Sequence, residues 1–202
     1  MKNLSKLSLV IALSMLGFNS TQAQTTSIGP LLGVNVSTFT GEPNTKYLAE
    51  LSVGGFINHS LDEHFGVNAK VIYSQLGSSY TYNNDLNRLH YIQLPVTGVY
   101  YFGKNGDNFR PKVYAGLYGG SLLGTNHKSG DAVVETDGSP YYKKTDVGGI
   151  LGLGFNYLLS SRTWLNVDAG YNAGFVDVTT SEATDFKNKA FSVSVGVSFP
   201  IK

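Results

Sequence analysis

The sequence predicts an all-β chain, an eight-stranded antiparallel up-and-down transmembrane β-barrel. Three observations predict it: eight stretches alternate apolar and polar residues with period two, short and longer connections alternate between them, and the apolar parity carries no charge.

The alternation is plainest in "AFSVSVGVSFPIK", from Ala190 to Lys202. Phe191, Val193, Val195, Val197 and Phe199 share one parity, and Ser192, Ser194, Gly196 and Ser198 the other. Successive side chains of a strand point to opposite faces, so this segment has one apolar and one small polar face. The same reading places strands at Ile28 to Thr38, Leu48 to Asn58, Phe65 to Gln75, Leu89 to Phe102, Lys112 to Leu122, Thr145 to Leu158, Thr163 to Phe175 and Lys189 to Ile201. Most match the about 9–11 residues with which a tilted strand crosses a bilayer. No stretch of similar length carries a helical stripe.

The connections "HSLDEH", "GKNGDNFR" and "SSR" are short, whereas those around Gly41, Asn83, Gly130 and Glu182 are longer. Short turns at one rim and long loops at the other are the layout of an outer-membrane barrel, with both termini periplasmic.

Turning each apolar face outward gives a consistent lipid-facing set. It includes Leu32, Val34 and Val36; Leu51, Val53 and Ile57; Val67, Ala69 and Val71; Ile92, Leu94 and Val96; Leu151 and Leu153; Leu165, Val167 and Ala169; and Val193, Val195 and Val197. Aromatics of the same parity fall near strand ends and form two expected interfacial girdles. Tyr47, Tyr73, Phe175 and Phe191 lie toward the long-loop rim, and Phe65, Tyr100, Phe102, Tyr157 and Phe199 toward the short-turn rim. In the strand around Tyr114, Val113, Ala115 and Leu117 compete with Tyr114 and Tyr118 for the outside; the aliphatic set is assigned outward.

The inward parity is polar and small, with Gly33, Asn35, Glu50, Ser52, Asn68, Lys70, Gln93, Thr97, Asn166, Asp168, Asn172, Ser192 and Ser194. An eight-stranded interior is only wide enough to be filled by side chains, so a plugged lumen is expected. Lys70 and Asp168 both lie near mid-strand on strands that face each other across a narrow barrel. They are expected to pair, within a lumenal polar network that includes Glu50, Asn68, Gln93 and Asn166. Pro95 removes a ladder hydrogen bond and is expected at a bulge or strand end.

The segment "MKNLSKLSLVIALSMLGFNSTQAQ" sets Lys2 and Lys6 before an apolar run from Leu7 to Phe18 and a small-residue stretch ending at Ala23. That is the pattern of a secretory signal peptide, residues 1–23, followed by one barrel domain over 24–202. The apolar run falls short of the about 20 residues of a helical span. Without Lys2 and Lys6, thirteen basic residues face fourteen acidic ones, which gives nothing a nucleic acid would select. With no cysteine, stability must come from packing and a closed hydrogen-bond network.

At "HYIQLPVTGVYYFG", from His90 to Gly103, the chain resembles the outer-membrane β-barrel family common in Bacteroidota, which includes PorT-type proteins. "VYAGLYGGSLLG" from Val113, "GGILGLGFNY" from Gly148 and the terminal strand match the same pattern. The resemblance implies an eight-stranded barrel of the OmpA-membrane-domain type in the bacterial outer membrane. It carries over no catalytic residue.

Chemistry-bearing clusters are sparse. His59, His64, His90 and His127 are scattered along the chain, and "HSLDEH" matches no zinc spacing. Asp85, Asp131, Glu135 and Asp137 lack the EF-hand pattern. The "GLGFNY" glycines lie within a strand and read as room for bulky inward neighbours, not as a dinucleotide fingerprint. His127 and Ser129 are close in sequence, but nothing in the pattern fixes a hydrolase geometry. No cofactor, metal or catalytic residue is expected.

The functional expectation is a non-enzymatic outer-membrane scaffold whose partners are lipid and, through the long loops, proteins outside the cell or in the envelope. Tyr141, Tyr142, Lys143 and Lys144 are the expected loop contact surface. A narrow channel or secretion-machinery component is one alternative. A secreted soluble carrier of lipocalin type, with an apolar interior, is the other.

Overall fold

A computed structural model describes residues 25–41, 44–80, 85–104, 106–129, 132–136, 141–181 and 185–201. The expected signal peptide lies outside the described residues, as do Asp131, Asp137 and the side chains of Ser129 and Glu135.

The strands are β1 (Thr26–Thr40), β2 (Thr45–Ser60), β3 (Phe65–Tyr80), β4 (Leu86–Tyr101), β5 (Phe109–Ser129), β6 (Ala132–Thr136), β7 (Thr145–Ser160), β8 (Thr163–Gly174) and β9 (Lys187–Ile201). They pair in the order β4-β3-β2-β1-β9-β8-β7-β5, and β4 pairs with β5, so the sheet closes on itself through eight antiparallel strands. The terminal strand completes the cylinder against the first, with Leu32 opposite Val195 and Asn35 opposite Ser192. Closure leaves no barrel strand edge open, which a strand in hydrocarbon requires. β6 stands outside the barrel and folds back on the end of β5 as a hairpin arm, from Thr125↔Thr136 to Ser129↔Ala132.

The connections differ from their expected lengths. Those at Gly41 and Asn83 shrink to residues 41–44 and 81–85, because the flanking strands run on past the apolar belt. The turn at 102–108, on the opposite rim, is longer than either. Asymmetry between the rims therefore resides in β5, its β6 arm and the 175–186 connection, not in every loop.

The parities divide as the alternation predicts. Leu32, Leu51, Val71, Leu94, Val96, Leu117, Leu151, Leu153 and Val193 are largely exposed on the outside. In β5, Val113 and Leu117 face out while Tyr114 and Tyr118 are buried. A water-soluble protein rarely exposes so continuous an apolar surface. An apolar exterior around a polar interior is the reverse of a lipocalin-type carrier.

Bulky tyrosines fill the lumen because glycines opposite make room for them. A Cβ at Gly148 would overlap the Tyr118 ring, and one at Gly152 the Tyr114 ring. Pro95 corrects an expectation: it sits mid-strand with no bulge. The β3–β4 pairing runs from Phe65↔Tyr100 to Ala69↔Val96 and resumes at Ile72↔Gln93 in the same register. The irregularity in β4 lies instead at His90/Tyr91, against β5.

Candidate functional site

Three levels of the lumen hold its chemistry. At mid-height Asp168 of β8 sits between two lysines, with Oδ2 at 2.9 Å from Lys70 Nζ and Oδ1 at 2.7 Å from Lys112 Nζ. All three side chains are nearly buried, at 12%, 12% and 5% exposure for Asp168, Lys70 and Lys112. Lys112 also donates to Asn156 Oδ1 at 2.9 Å, and Lys70 lies 5.8 Å from the centre of the Tyr114 ring. Gly154 has no Cβ because the Asp168 carboxylate and the Val167 carbonyl occupy that space.

The structure brings Lys70 and Asp168 together but divides the rest of the expected network. Asn68 donates to Asn58 Oδ1, Asn58 to Asn166 Oδ1 at 3.3 Å, and Asn166 to Ser198 Oγ at 2.9 Å. This run of amides crosses the lumen nearer the short-turn rim. Glu50 is inward and buried, but its partner is Arg88 at 2.6 Å, in a second ion pair. Gln93 borders a central cavity of about 50 Å³, shared with Lys70, Ser74 and Tyr118. A cavity of that size holds little more than a water or two.

Above this level Asp146 is fully buried. Its Oδ2 accepts from Tyr118 Oη at 3.2 Å and from Asn188 Nδ2 at 2.9 Å. The long-loop mouth is then closed by an apolar plug of Phe39, Leu76, Leu89, Tyr91, Leu122, Val178 and Ala190, with Tyr142 and Phe186 packed against it. Val178 comes from the segment 175–181 after β8, which folds back over the opening. An Asp177 clamp holds it there: Oδ1 accepts from the Thr179 and Phe186 amides, both at 3.0 Å, and Oδ2 meets Lys143 Nζ at 2.7 Å. Partial burial alone would raise this carboxyl, but Lys143 and the Thr179 and Phe186 amides hold it down at about 2. Val178 also accepts from the Lys143 amide and donates to the Phe186 carbonyl, each at 2.8 Å.

The outer surface carries the aromatics in both expected bands. Tyr47, Phe65, Phe102, Tyr157, Phe175, Phe191 and Phe199 are exposed. Tyr100 is half-buried between Phe65 and Phe102, each 5.1 Å away. Tyr73 is half-buried too, its hydroxyl 2.5 Å from His90 Nδ1. Phe109 and Tyr171 extend the bands, the latter 4.9 Å from Phe191.

The loop contact surface is smaller than expected. Tyr141 is 70% exposed, but Tyr142 turns into the plug, its ring 6.4 Å from Phe39. Lys143 is committed to Asp177, and Lys144 is exposed. In the "HSLDEH" turn, Asp62 accepts from the His64 and Phe65 amides, both at 2.7 Å. The Phe65 and His64 amides hold that carboxyl below its ordinary range. His59 meets Thr26 Oγ1 at 2.8 Å, and His64 meets the Tyr101 carbonyl at 3.1 Å. His127 is exposed beside Asn87. Among the described residues no three His, Asp or Glu side chains converge as metal ligands.

Lys112, Asn58, Asp146 and the Phe39–Val178 plug lie beyond the sequence reading. Lys112 stood at the start of the strand whose facing was least clear. Asp146 shares the inward parity of Gly148 and Gly152 but sits at the very start of its strand, and Val178 falls between strands, where period two gives no direction.

The family model for "Outer membrane protein beta-barrel domain" matches residues 22–180. Among curated protein sequences none is significantly similar to the chain. Among solved structures, Neisserial surface protein A (NspA) is similar at a TM-score of 0.55 and 12% identity, over 86% of this chain and 97% of that one. OprG from Pseudomonas aeruginosa is similar at 0.53 and 12%, over 89% of this chain and 96% of the other. At these identities the likeness concerns the fold alone.

Proposed function

The chain belongs to the outer membrane protein β-barrel domain family, and on that premise we propose that it is a non-enzymatic scaffold of the bacterial outer membrane with a sealed lumen. Both termini and the short turns face the periplasm in this reading, while the β5–β6 arm and the 175–186 connection face outward. The likeness of His90 to Gly103 to Bacteroidota PorT-type barrels belongs to the same reading, without a secretion role.

One observation carries the proposal: the apolar plug of Phe39, Leu76, Leu89, Leu122 and Val178 across the long-loop mouth. A solute path would need water-lined space there, and the plug replaces it with close-packed hydrocarbon. The triad of Lys70, Asp168 and Lys112 then reads as an internal tie between opposite walls of the barrel. The envelope partner, where one binds, meets Tyr141 and Lys144 on the exposed face of the loops.

Planar-bilayer conductance tests the seal. The purified barrel is expected to leave the bilayer silent. Discrete single-channel steps from the wild-type chain would replace the scaffold with the narrow-channel reading.

A further inference from the structure

Between the mid-height triad and the short-turn mouth the lumen widens again. A cavity of about 270 Å³ lies there, lined by Ser27, Asn58, Ser60, Arg110, Trp164 and Ser198 among others. A liquid water takes about 30 Å³, so the space holds several waters or a small solute. Its strand-borne lining residues take the inward parity, and the sheet stands between them and the lipid.

Arg110 dominates the chemistry of this space. Its residue is 8% exposed, its guanidinium lies 4.5 Å from the centre of the Tyr101 ring, and one terminal nitrogen donates to the Glu63 carbonyl at 2.5 Å. Its Nε is buried with no hydrogen-bond partner. A buried charged donor left unpaired is costly. Ser198 Oγ accepts from Asn166, which leaves its own hydroxyl proton to donate.

The surrounding charge has the same sign. Among the described residues, Arg110, Lys112 and Lys70 stand on the inward face of this half of the barrel against one lumenal acid, Asp168. Asp168 is already shared between the two lysines, and the carboxylate of Glu63 belongs to an exposed turn at the rim. A buried cation excess beside a polar cavity is the arrangement that a small anion neutralises.

We propose that this vestibule binds a small free oxyanion of the phosphate class, held by Arg110 and the serine hydroxyls and entering through the short-turn mouth. The site goes beyond the sealed-scaffold reading and does not depend on orientation, since the short-turn rim meets solvent in a detergent micelle.

Trp164 lines the cavity and is the chain's single tryptophan, so its fluorescence reports on occupancy. The full barrel, folded in a sugar-headgroup detergent, is titrated with inorganic phosphate at constant ionic strength set by sodium chloride. A saturable change in emission is expected. Arg110→Gln should weaken the apparent affinity about tenfold or more, because a charge-assisted bond is lost. Lys128→Gln, on the exposed arm at the other rim, should leave it unchanged. Ser60→Asp offers the guanidinium a carboxylate of the protein's own and should abolish the response in a folded barrel, so it decides the matter if Arg110→Gln does not fold. The proposal is overturned by a non-saturating wild-type titration, by an equal response to chloride, or by a Ser60→Asp barrel that still binds phosphate. Bilayer conductance with an unchanged phosphate titration would sink the sealed-scaffold reading alone.

Discussion

Replacing Asp168 with asparagine keeps the shape of the side chain and removes its charge. Two ammonium groups, Lys70 at 2.9 Å and Lys112 at 2.7 Å, then lose their shared carboxylate while both remain nearly buried. Breaking one side of a buried pair costs about 3–5 kcal/mol, because the surviving charge has neither partner nor water. Here one substitution strands two charges, so Asp168→Asn should fall at the upper end of that range. Lys112→Met is the informative contrast. It leaves Asp168 paired with Lys70, removes the excess cation and keeps most of the side-chain volume, so a cost of about 1 kcal/mol or less is expected. The assay is urea-dependent folding into lipid vesicles, read by the shift of the compact species on boiling. Equal costs for the two variants, or an Asp168→Asn barrel within about 1 kcal/mol of wild type, would refute the charge account.

Other perturbations probe separate links. Leu94→Arg, on the exposed outer face of β4, should destabilise the membrane-inserted barrel by about 2–4 kcal/mol, which the same folding titration would measure. Gly152→Ala puts a Cβ into the Tyr114 ring and the Ala169 carbonyl, so a loss of about 1–3 kcal/mol or a failure to fold is expected on the heat-shift gel. The Asp177 clamp should depend on pH with a defined sign. Its carboxyl is held down at about 2, so its contribution is complete above the ordinary carboxylate range and is lost progressively as pH falls from there through about 2. Protection of the Val178 amide from hydrogen exchange, corrected for the intrinsic rate, should therefore hold from neutral pH to about 4. Asp177→Asn should weaken it by about 1 kcal/mol throughout, a modest figure because the Lys143 pair is solvent-screened.

How much of this was legible in the sequence depends on where a residue sits relative to the belt. Within the belt the two-residue period and the apolar outer face fix which side each side chain takes. The strand of Val113 and Leu117 offered two competing apolar parities and only the structure buries Tyr114 and Tyr118, whereas Val193 and Val195 outside follow from that constraint alone. So does the meeting of Lys70 with Asp168, since inward side chains of equal height on facing walls of a narrow barrel have nowhere else to go. At the rims the constraint ends. Glu50 takes the inward parity, yet its partner is Arg88 because the stagger between strands decides which inward residues share a level. Tyr142 looked like an exposed contact residue and instead packs near Phe39, since the fold of its connection, not the alternation, sets its direction.

The sequence by itself determined that this chain is a barrel, how many strands close it, and which face meets lipid. Each of those properties is local, repeated strand after strand by the same alternation. Only the tertiary structure decided that Lys112 joins the Asp168 pair, that Val178 folds back to seal one mouth, and that Arg110 is left facing a cavity at the other. These depend on stagger across strands and on chain reversal at the rim, which bring together residues distant in sequence through contacts that no single strand encodes.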